Sequence, residues 1–538
     1  MTVREPVPDH VKPGADIGFR LVAAAVFVIL LVPKIFQNAA AHTGDLDTGN
    51  YSNYAWAILH GEGFAGSLLG RHQLGEHFSP IMMLIAPIYL VWQSAYVLMI
   101  LQATAAAAAI VLTLYFADRQ FRAAGFDDIT GGANAKRIRA GASLLLIVLF
   151  FCYPPLLDGW MTQFQPIELG MPLVVLAMIL MHGAGGERRA RNDRWLAIVV
   201  LLLLMTRESA PLTVMGLAIY AALLPRRYGL TALLLLAAGL WASLTMGVLM
   251  PHFRAGAHWP HEKFFAPLAI WRLKWWYLLT VFLGLGPLPL IGRRAWAASA
   301  AAIPGILLNL AVNRETQVTF VGHYDAQIAP FLMVAAVHGI VAVAVFARSN
   351  PLAGTRAAAA AVVASLALSF ALLGQSAARM PFQLWSRWWP TRERLEMAKE
   401  ARAMGKSFAN APALSGWRAI GPQVCHRRSY MAMRCGGTTQ TWIDWASDRL
   451  KPGTILLVPT AEYHQDDAPE RTLIAASGRA VLVKRDKLVE AWQWPTDAPP
   501  PATPQAQAYV RAGVERGASL STPPSVAPSR ENRKKHRK

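Results

Sequence analysis

Long apolar runs recur along most of this chain and are separated by short polar loops. A run of about 18 or more apolar residues is long enough to cross the hydrocarbon core of a bilayer as an α-helix. The composition agrees, because 54% of the residues are hydrophobic and 16% are charged, whereas soluble proteins have about a quarter charged. The sequence therefore predicts an all-α polytopic protein whose main partner is the lipid bilayer.

The formal charge of +20 comes from lysines and arginines that cluster in the short loops between the apolar runs. In a soluble protein this excess would suggest nucleic acid, but the cytoplasmic loops of membrane proteins are also enriched in Lys and Arg. We therefore place these loops in the cytoplasm and expect no nucleic-acid partner. The first apolar run lacks a small-residue cleavage site, so we interpret it as a retained helix of a multi-pass protein of the inner (cytoplasmic) membrane.

The number of crossings depends on one short run. Spanning candidates begin at Ile17–Phe36 and continue to Ala357–Leu373. Between them, Ile81–Trp92 is short for a crossing, at about 1.5 Å per residue against a core of about 30 Å, and we interpret it as re-entrant or interfacial. If Ile81–Trp92 does not cross, about eleven crossings place all the basic loops on the cytoplasmic side, with the N-terminus inside. If it does cross, there are roughly twelve crossings.

Composition also divides the chain into regions. After the last apolar run, polar residues increase and short strand-like runs appear at Thr454–Val458 and Ala480–Val483, with helical patterns at Arg392–Met404 and Thr441–Leu450. The final region is rich in Pro, Ala, Ser and Gln and ends in basic residues. We predict five regions: a cytoplasmic N-terminus (1–16), a transmembrane domain (17–375) with an acidic first external loop (37–80), a small external α/β domain (380–494) and a disordered basic tail (495–538).

Acidic and histidine side chains are concentrated in the first external loop. Asp45 and Asp47 lie one residue apart, and Glu76 and His77 follow in the same loop. Carboxylates just outside a membrane can hold a divalent cation, Mg²⁺ or Mn²⁺ being the candidate cofactor, or take a proton from a substrate. The alternative is that one aspartate caps the helix predicted over Tyr51–Leu59 while the other is solvated. The residues alone leave both interpretations open.

Arg207 and Glu208 separate two short apolar runs on the same predicted face. Arg207 can bind a phosphate, and Glu208 can orient that group or a metal ligand. The alternative is a salt-bridged turn at the membrane edge. We take both as candidate substrate-binding residues, because the cytoplasmic loops carry no comparable group of polar side chains.

Two further segments of the external face carry candidates for substrate binding. Gln165 and Glu168 open an otherwise apolar run, where an acid costs free energy unless it has a partner. His323 and Tyr324 precede a later span, and the alternative for them is an aromatic belt with a helix cap. All the acidic and aromatic clusters therefore fall on one side, which predicts that the active face is the external one.

The chain lacks several well-known motifs. It has no phosphate-binding loop, dinucleotide glycine motif, His-Glu-x-x-His helix or nucleophile elbow in a credible context. Their absence argues against an ATP-driven pump and against a metalloprotease.

The external segments also carry a specific order of residues. The first loop reads Asp47-x-Gly49, Trp56, His60-Gly61, Gly75-Glu76-His77-Phe78-Ser79-Pro80 and then Pro87-Ile88-Tyr89, and later segments read Phe164-Gln165-Pro166, Arg207-Glu208 and His323-Tyr324. Together they resemble a prokaryotic family of predicted membrane proteins of unknown function, grouped with the membrane-integral, C-type (GT-C) glycosyltransferases. The resemblance covers roughly residues 17 to 375, and the family more often has His where this chain has Gln165.

This resemblance implies a fold of about eleven to thirteen spanning helices with the acidic site in the first external loop. C-type enzymes use a polyprenyl-phosphate-linked sugar as donor and usually invert the anomeric centre. The resemblance also implies roles: Asp47, with Asp45 nearby, is the base or metal ligand, Glu76 and His77 are second candidates, and Arg207 binds the lipid phosphate. The acceptor is not implied.

Other functions remain open at this point. A transporter or flippase of a lipid-linked or anionic substrate predicts internal repeats and broken helices with polar residues near the bilayer midplane. We find no convincing repeat, and the polar residues lie at one face. A non-enzymatic protein of envelope assembly is a further alternative. If the C-terminal domain is external, Cys425 and Cys435 are in a compartment that permits a disulfide.

Overall fold

The computed structural model describes residues 17–41, 43, 45–64, 72–126, 128–182, 187–254, 270–320, 323–375, 390–416, 420–432, 450–460, 474 and 477–495. The predicted N-terminal region 1–16, nearly all of the tail 495–538, Cys435 and the helical pattern Thr441–Leu450, except its last residue, lie outside these residues.

The chain folds into a helical bundle followed by a small α/β domain. The helices of the bundle are α1 (Ile17–Ala39), α2 (Asn50–Leu59), α3 (Gln73–Glu76), α4 (Met82–Ile85), α5 (Tyr96–Ala123), α6 (Asp128–Phe151), α7 (Pro154–Met161), α8 (Gly170–Met181), α9 (Glu187–Leu204), α10 (Ala210–Leu223), α11 (Tyr228–Leu244), α12 (Met250–Phe253), α13 (Trp271–Leu283), α14 (Arg293–Ala300), α15 (Ile303–Ala311), α16 (Ala329–Ser349) and α17 (Pro351–Gln375). Short 3₁₀ helices lie at Ala86–Leu90, Pro166–Leu169, Leu288–Leu290, Glu315–Gln317 and His323–Gln327, and π-helices at Asp45–Gly49 and Thr245–Leu249.

Several of these helices are long and apolar enough to cross a membrane. By length and composition, five described helices qualify: Gly18–Ala39, Tyr96–Ala123, Tyr228–Phe253, Ala329–Ser349 and Pro351–Leu373. A sixth span arises if the pair Asn134–Phe151 and Pro154–Met161, bent by 63°, crosses as one unit. Two shorter apolar helices cover Pro166–Met181 and Ala210–Leu223. The polytopic helical architecture is confirmed, and the count of about eleven crossings stays a prediction.

The helices α5 and α16 form the centre of the bundle. Two thirds of the apolar window of each is buried inside the protein, compared with about a fifth for α1 and α11. Their sequences explain this, because both are apolar on all sides and rich in small alanines, which let neighbouring helices approach closely. Apolar side chains of α1 and α11 instead face outward, as expected for helices that contact lipid.

The two ends of the bundle differ in character. At one end, arginines form ion pairs between neighbouring segments: Arg139 pairs with Asp118 at 2.8 Å, and Arg227 pairs with Asp193 at 2.7 Å. Arg348 reaches the carbonyl of Gly125 at the same end. The opposite end carries the acidic first loop, because α5 runs its 28 residues, about 42 Å, from that loop to the basic end.

The run Ile81–Trp92 does not form a spanning helix. It folds into α4 and the 3₁₀ helix Ala86–Leu90, and its last residues, Val91 and Trp92, are exposed. A proline in the run, Pro87, lies within the first two residues of the 3₁₀ helix, where its missing N–H is tolerated. This geometry fits the interfacial interpretation of the run.

The C-terminal domain contains α18 (Arg392–Ser407), α19 (Gly421–Val424) and five strands. These are β1 (Leu414–Gly416), β2 (Tyr430–Ala432), β3 (Ile455–Pro459), β4 (Val481–Arg485) and β5 (Val489–Gln493), in the sheet order β2-β1-β3-β5-β4. The strand β1 is parallel to β2 and β3, whereas β5 is antiparallel to β3 and β4. The structure agrees with the predicted strands β3 and β4 and with α18, whereas β1, β2 and β5 were not predicted, because three to five residues carry little periodic signal.

We expect reporter fusions to place the two ends of the bundle on opposite sides of the membrane. A reporter at Arg191, in the basic first turns of α9, should be cytoplasmic, and one at Gly453, in the C-terminal domain, should be external, because basic segments are retained inside. A paired phosphatase and fluorescent-protein assay reads both positions. The same signal at both sites would contradict this topology.

Candidate functional site

Four segments that are distant in sequence meet at the acidic end of the bundle. They are the turn of Asp45–Gly49, the residues before the 3₁₀ helix Pro166–Leu169, the link between α9 and α10, and the 3₁₀ helix His323–Gln327. Each lies at the end of a membrane helix or between two of them, so the bundle itself sets their relative positions. The candidate residues predicted from the sequence lie mainly on these segments.

Asp47 lies in the π-helical turn that leads into α2. The helix begins after Gly49, and Asp47 lies inside the turn, two residues before that N-cap glycine. The backbone N–H of Asp47 donates to Oε1 of Gln163 at 3.3 Å. Its carboxylate accepts from Nε2 of Gln165 at 2.5 Å. The carboxylate is therefore held by the neighbouring segment and is only partly buried.

The side chain of Gln165 joins Asp47 to Arg207. Its amide nitrogen donates to the Asp47 carboxylate at 2.5 Å, and its amide oxygen accepts from Nη1 of Arg207 at 3.4 Å. An amide provides a donor and an acceptor on one rigid group, and a neutral imidazole does the same through its two ring nitrogens. Gln165 thus presents its donor to Asp47 and its acceptor to Arg207 at the same time.

Arg207 is buried and contacts four side chains. Its Nε donates to Oε1 of Glu208 at 3.3 Å, and its Nη1 contacts Gln165 and, closely, Nε2 of His323. Its Nη2 lies 3.4 Å from Nε2 of His77. Burial opposes the charged form, but Glu208 and other neighbours offset this, and the pKa of Arg207 is raised. The guanidinium is thus a fixed cation at the membrane edge, and Glu208 is the carboxylate in direct contact with it among the described residues.

Glu208 accepts two hydrogen bonds besides its contact with Arg207. Nδ1 of His77 donates to Oε1 at 2.9 Å, and the N–H of Phe78 donates to Oε2 at 3.0 Å. Burial would raise the pKa of Glu208, but His77 and Arg207 more than offset it, and its pKa lies well below the usual range. A carboxylate accepts only, so the proton of His77 on this side is on Nδ1. Glu208 therefore orients His77 as well as Arg207, and the salt-bridged turn is one part of a larger group.

His323 is neutral in this arrangement. Arg207 can only donate, so Nε2 of His323 must accept, and its ring proton is on Nδ1. Burial, followed by the charges of Arg207 and His77, lowers the pKa of His323 well below its ordinary value. The ring of Tyr324 lies 4.4 Å from that of His323, and the hydroxyl of Tyr324 accepts from Arg314 at 3.4 Å. His323 thus contacts the centre of the site, and Tyr324 lies at its edge.

Glu168 contacts the backbone of Gln165 and so holds a residue of the site in place. It is fully buried, and its Oε2 accepts from the backbone N–H of Gln165 at 3.3 Å as half of a capping box. Lys34, whose Nζ donates to the carbonyl of Thr162 at 2.5 Å, provides an opposite charge nearby. Glu168 therefore contacts the backbone of Gln165 and positions that residue, and the substrate-binding role predicted for Glu168 stays a prediction.

Two of the acidic candidates have less defined positions. Glu76 ends α3, next to His77, and it lies near Arg254, whose guanidinium donates to the carbonyl of Gly75. The backbone of Asp45 belongs to the same π-helical turn as Asp47, but its side chain lies outside the described residues. The roles predicted for these two acids remain predictions.

A ready-made metal site is absent from the part of the chain that the structure describes. No three His, Cys, Asp or Glu residues come together there in a way that could hold a metal ion. An amide donor of Gln165 engages one oxygen of the Asp47 carboxylate. The side chain of Asp45 lies outside the described residues, so the cation site predicted for Asp45 and Asp47 remains a prediction.

Tyr51 is a site residue that the sequence analysis did not identify. It is buried one helical turn beyond Asp47, and its ring packs edge-on against Phe164 with centroids 5.9 Å apart. Its hydroxyl is buried and has no hydrogen-bond partner among the described residues. Burial raises the pKa of Tyr51, which the charge of Arg207 partly offsets. The i, i+4 spacing from Asp47 was the available signal.

Asp325 lies in the same 3₁₀ helix as His323 and is buried. The hydroxyl of Tyr277 donates to its carboxylate at 2.8 Å, and Asn309 donates at 3.2 Å. Burial raises the pKa of Asp325 to about 7, although these hydrogen bonds lower it in part. The group is thus half protonated near neutral pH, two residues from the partner of Arg207.

Replacing Asp325 with Asn should change how stability depends on pH. A carboxyl whose pKa is raised in the folded state binds protons more tightly there, so stability decreases as pH rises from about 4 to about 7. Asp325→Asn should remove this decrease, and the variant should gain thermal stability relative to wild type above pH 7. Unfolding temperatures in detergent at pH 5 and pH 8 measure it. An equal pH dependence in both proteins would contradict the assignment.

The C-terminal domain contacts the helix that follows Asp47. Nδ2 of Asn53 donates to the carbonyls of Cys425 and Arg427 at 2.7 and 3.1 Å. Oγ of Ser52 lies 2.7 Å from Nε2 of His426 and 2.9 Å from the hydroxyl of Tyr89. These contacts join residues more than 370 positions apart and attach the domain to the face of the bundle that carries the site.

We expect Asn53→Ala to loosen α2. The change leaves two buried carbonyls without their donor, which costs about 1–3 kcal/mol for each unpaired group. Hydrogen exchange should therefore increase in Asn50–Leu59 and in Tyr430–Ala432. The matched control is Asn350→Ala, at the basic end, which should leave both segments unchanged. Unaltered exchange of α2 in Asn53→Ala would show that the contact does not hold the helix.

Comparisons with known proteins give a family and a distant structural likeness. A family model described as "Predicted membrane protein (DUF2079)" matches residues 41–445, most of the chain. The match extends beyond residue 375, where the resemblance was expected to end, and includes the segment that contacts α2. A comparison with curated proteins found no match.

A solved structure is similar over most of its length. It is the crystal structure of ArnT from Cupriavidus metallidurans bound to undecaprenyl phosphate, with 13% sequence identity and a TM-score of 0.48. The likeness covers 89% of this chain and 98% of that chain.

Proposed function

The chain belongs to the family of predicted membrane proteins named DUF2079, and we propose that it is a GT-C-type glycosyltransferase of the inner membrane. It would transfer a sugar from a polyprenyl-phosphate-linked donor to an acceptor at the external face. The observation that carries the proposal is the bridge of Gln165 between a carboxylate, Asp47, and a buried cation, Arg207. Transfer from a lipid phosphate needs these two groups close together at a membrane edge.

Asp47 is the base of the proposed reaction. Of the two carboxylates near Arg207, Asp47 is partly exposed. Glu208 already accepts hydrogen bonds from Arg207, His77 and the N–H of Phe78. The acceptor hydroxyl loses its proton to Asp47 as its oxygen forms a bond to the anomeric carbon. The bond between that carbon and the phosphate oxygen breaks, and the electron pair leaves with the lipid phosphate. Attack opposite the leaving group inverts the anomeric centre.

Arg207 stabilises the leaving phosphate. Negative charge develops on the phosphate oxygen as the sugar departs, and a fixed guanidinium stabilises it without reorganising. Three of its contacts, Gln165, His323 and His77, are side chains other than carboxylates, so an anion can compete for its N–H groups. Glu208 holds the guanidinium in place from the remaining side.

The isoprenoid chain would lie along the short apolar run Ile81–Trp92. The N–H of Ile81 donates to the carbonyl of Met205, two residues before Arg207, at 3.1 Å. Farther along the run, Leu90 and Val91 are among the most exposed apolar side chains of the protein. A lipid tail can therefore leave the phosphate site directly into the bilayer along this surface.

The transporter alternative has one observation in its favour. The pair of helices bent by 63° resembles the broken helices of transporters. The bend, however, lies at Cys152–Tyr153, and the polar side chains gather at one end of the bundle. A structural role in envelope assembly would not require a buried cation held beside an accessible carboxylate.

The purified full-length protein in vesicles tests the proposal. With a short-chain polyprenyl-phosphate sugar as donor and water or a hydroxyl compound as acceptor, free polyprenyl phosphate should be released in amounts equal to the sugar transferred. Mass spectrometry measures both products. Movement of intact donor across the bilayer without release would favour the transporter, and neither release nor movement across a panel of donors would refute both.

A further inference from the structure

A cavity lies at the basic end of the bundle, the end opposite the candidate site. It has a volume of about 860 Å³ and is bounded by the ends of α5, α6, α16 and α17. Along α16, which begins two residues after the 3₁₀ helix His323–Gln327 of the site, the lining of this cavity starts at Ile340, about 16 Å from the first residue of the helix. None of the residues assigned to the proposed reaction lines it. Any ligand of this cavity is therefore separate from the proposed donor and acceptor.

Most of the residues that line this cavity are apolar, and Asn134, Arg348 and Thr355 are polar exceptions. The apolar ones include Ala135, Leu145, Leu288, Ile340, Val343 and Val362. The cavity faces lipid as well as protein, because Val362 and the neighbouring Phe346 and Leu144 are exposed apolar side chains on membrane helices. Hydrocarbon from the bilayer can enter such a space without losing its apolar surroundings.

One cation stands at the rim of the cavity. The guanidinium of Arg348 donates to the carbonyl of Gly125 at 3.0 Å and lies 5.4 Å from the ring centre of Phe126. Neither partner carries a negative charge, and within the described ranges no carboxylate pairs with Arg348. Nearby, Asp118 is already shared between Arg122 and Arg139. Arg348 therefore retains the capacity to bind an anion.

The surroundings add to the positive charge. Arg119, Lys136, Arg137 and Arg356 lie on the same helix ends. An apolar space whose rim carries an arginine without a carboxylate partner among the described residues, with basic residues on the surrounding helix ends, matches a lipid with an apolar chain and an anionic headgroup. A zwitterionic lipid offers the same chain but a neutral headgroup, so charge at Arg348 provides the selectivity.

We propose that this cavity binds an anionic phospholipid, with an acyl chain between α6, α16 and α17 and the headgroup phosphate on Arg348. The inference goes beyond the proposed glycosyl transfer and does not depend on it. The acyl chain of the lipid is surrounded by hydrocarbon both in the bilayer and in the cavity. The contact of Arg348 with the headgroup therefore accounts for most of the preference for an anionic lipid over a zwitterionic one.

Lipid retention by the full-length protein tests the proposal. The protein is extracted from vesicles containing equal amounts of phosphatidylglycerol and phosphatidylcholine, and bound lipids are identified by native mass spectrometry. Wild type should retain phosphatidylglycerol in preference. Arg348→Gln should lower that retention roughly ten- to hundredfold, as expected for loss of a charge-assisted hydrogen bond. The matched control Arg356→Gln, which removes one charge from α17 outside the cavity lining, should change it little.

A second variant separates the cavity from the charge. Ala344→Phe places a ring in the cavity while Arg348 remains, and it should also expel the lipid. Equal retention of the two phospholipids by wild type, or equal losses in the Arg348 and Arg356 variants, would overturn the proposal. Retention of an added polyprenyl phosphate in place of phosphatidylglycerol would overturn the choice of occupant.

Discussion

Asp47→Asn is expected to abolish most sugar transfer while leaving the protein folded. Asparagine keeps the size of the side chain and an oxygen that can accept from Gln165, so the bridge to Arg207 can persist. It removes the charge that takes the acceptor proton. General-base catalysis contributes about a hundred- to ten-thousandfold. The release of polyprenyl phosphate in the vesicle assay should decrease by that factor, with donor binding nearly unchanged.

The matched control for this variant is Asp486→Asn, in a partly exposed position of the C-terminal domain. It makes the same chemical change away from the site and should retain wild-type transfer. Asp45→Asn adds information, because a smaller loss than that of Asp47→Asn identifies Asp47 as the base, and equal losses indicate that both residues act together. Wild-type transfer by Asp47→Asn would remove this residue from the mechanism.

Replacing Arg207 should affect both donor binding and stability. Arg207→Ala takes away the cation proposed to hold the lipid phosphate and leaves the buried carboxylate of Glu208 with hydrogen bonds from His77 and Phe78 but without its ion-pair partner. Removing one member of a buried ion pair costs about 3–5 kcal/mol. We expect weaker binding of the polyprenyl-phosphate donor, little transfer and a lower unfolding temperature, measured by lipid binding and by thermal unfolding in detergent.

A double variant separates these two effects. Arg207→Met with Glu208→Gln removes both charges, so no unpaired buried carboxylate remains. Its unfolding temperature should recover towards wild type, whereas donor binding should stay weak because the cation is still absent. A double variant that recovers donor binding together with stability would show that Arg207 has a structural role only.

If these results are obtained, the C-terminal domain is part of the site's support, because it contacts the helix that follows Asp47. The contacts of Asn53 and Ser52 with the segment 425–427 fix α2, and α2 continues the turn that carries Asp47. The extension of the family match to residue 445 includes this segment. The domain would thus position the base without contributing a catalytic residue of its own.

The sequence by itself determined the membrane class and predicted the face on which the proposed chemistry lies. Apolar runs of spanning length follow from the 1.5 Å rise of a helix in a bilayer, so α1, α5, α11, α16 and α17 could be predicted from composition alone. The asymmetry of charge between loops separated a basic end from an acidic end. Asp47, Arg207 and His323 were candidates because charged and polar side chains are concentrated in the segments between apolar runs on one predicted face.

Only the tertiary structure decided how those candidates are connected. Gln165 contacts Asp47 across 118 positions and Arg207 across 42, and Arg207 meets His323 across 116. Local periodicity carries no information about such pairs, because they depend on which helices pack together. The same reason explains why neither the contact of Glu168 with the backbone of Gln165 nor that of His426 with Ser52 was predicted. Helix propensity and hydropathy reflect neighbours within one or two helical turns. Contacts between the ends of different helices depend instead on how the helices pack in the bundle.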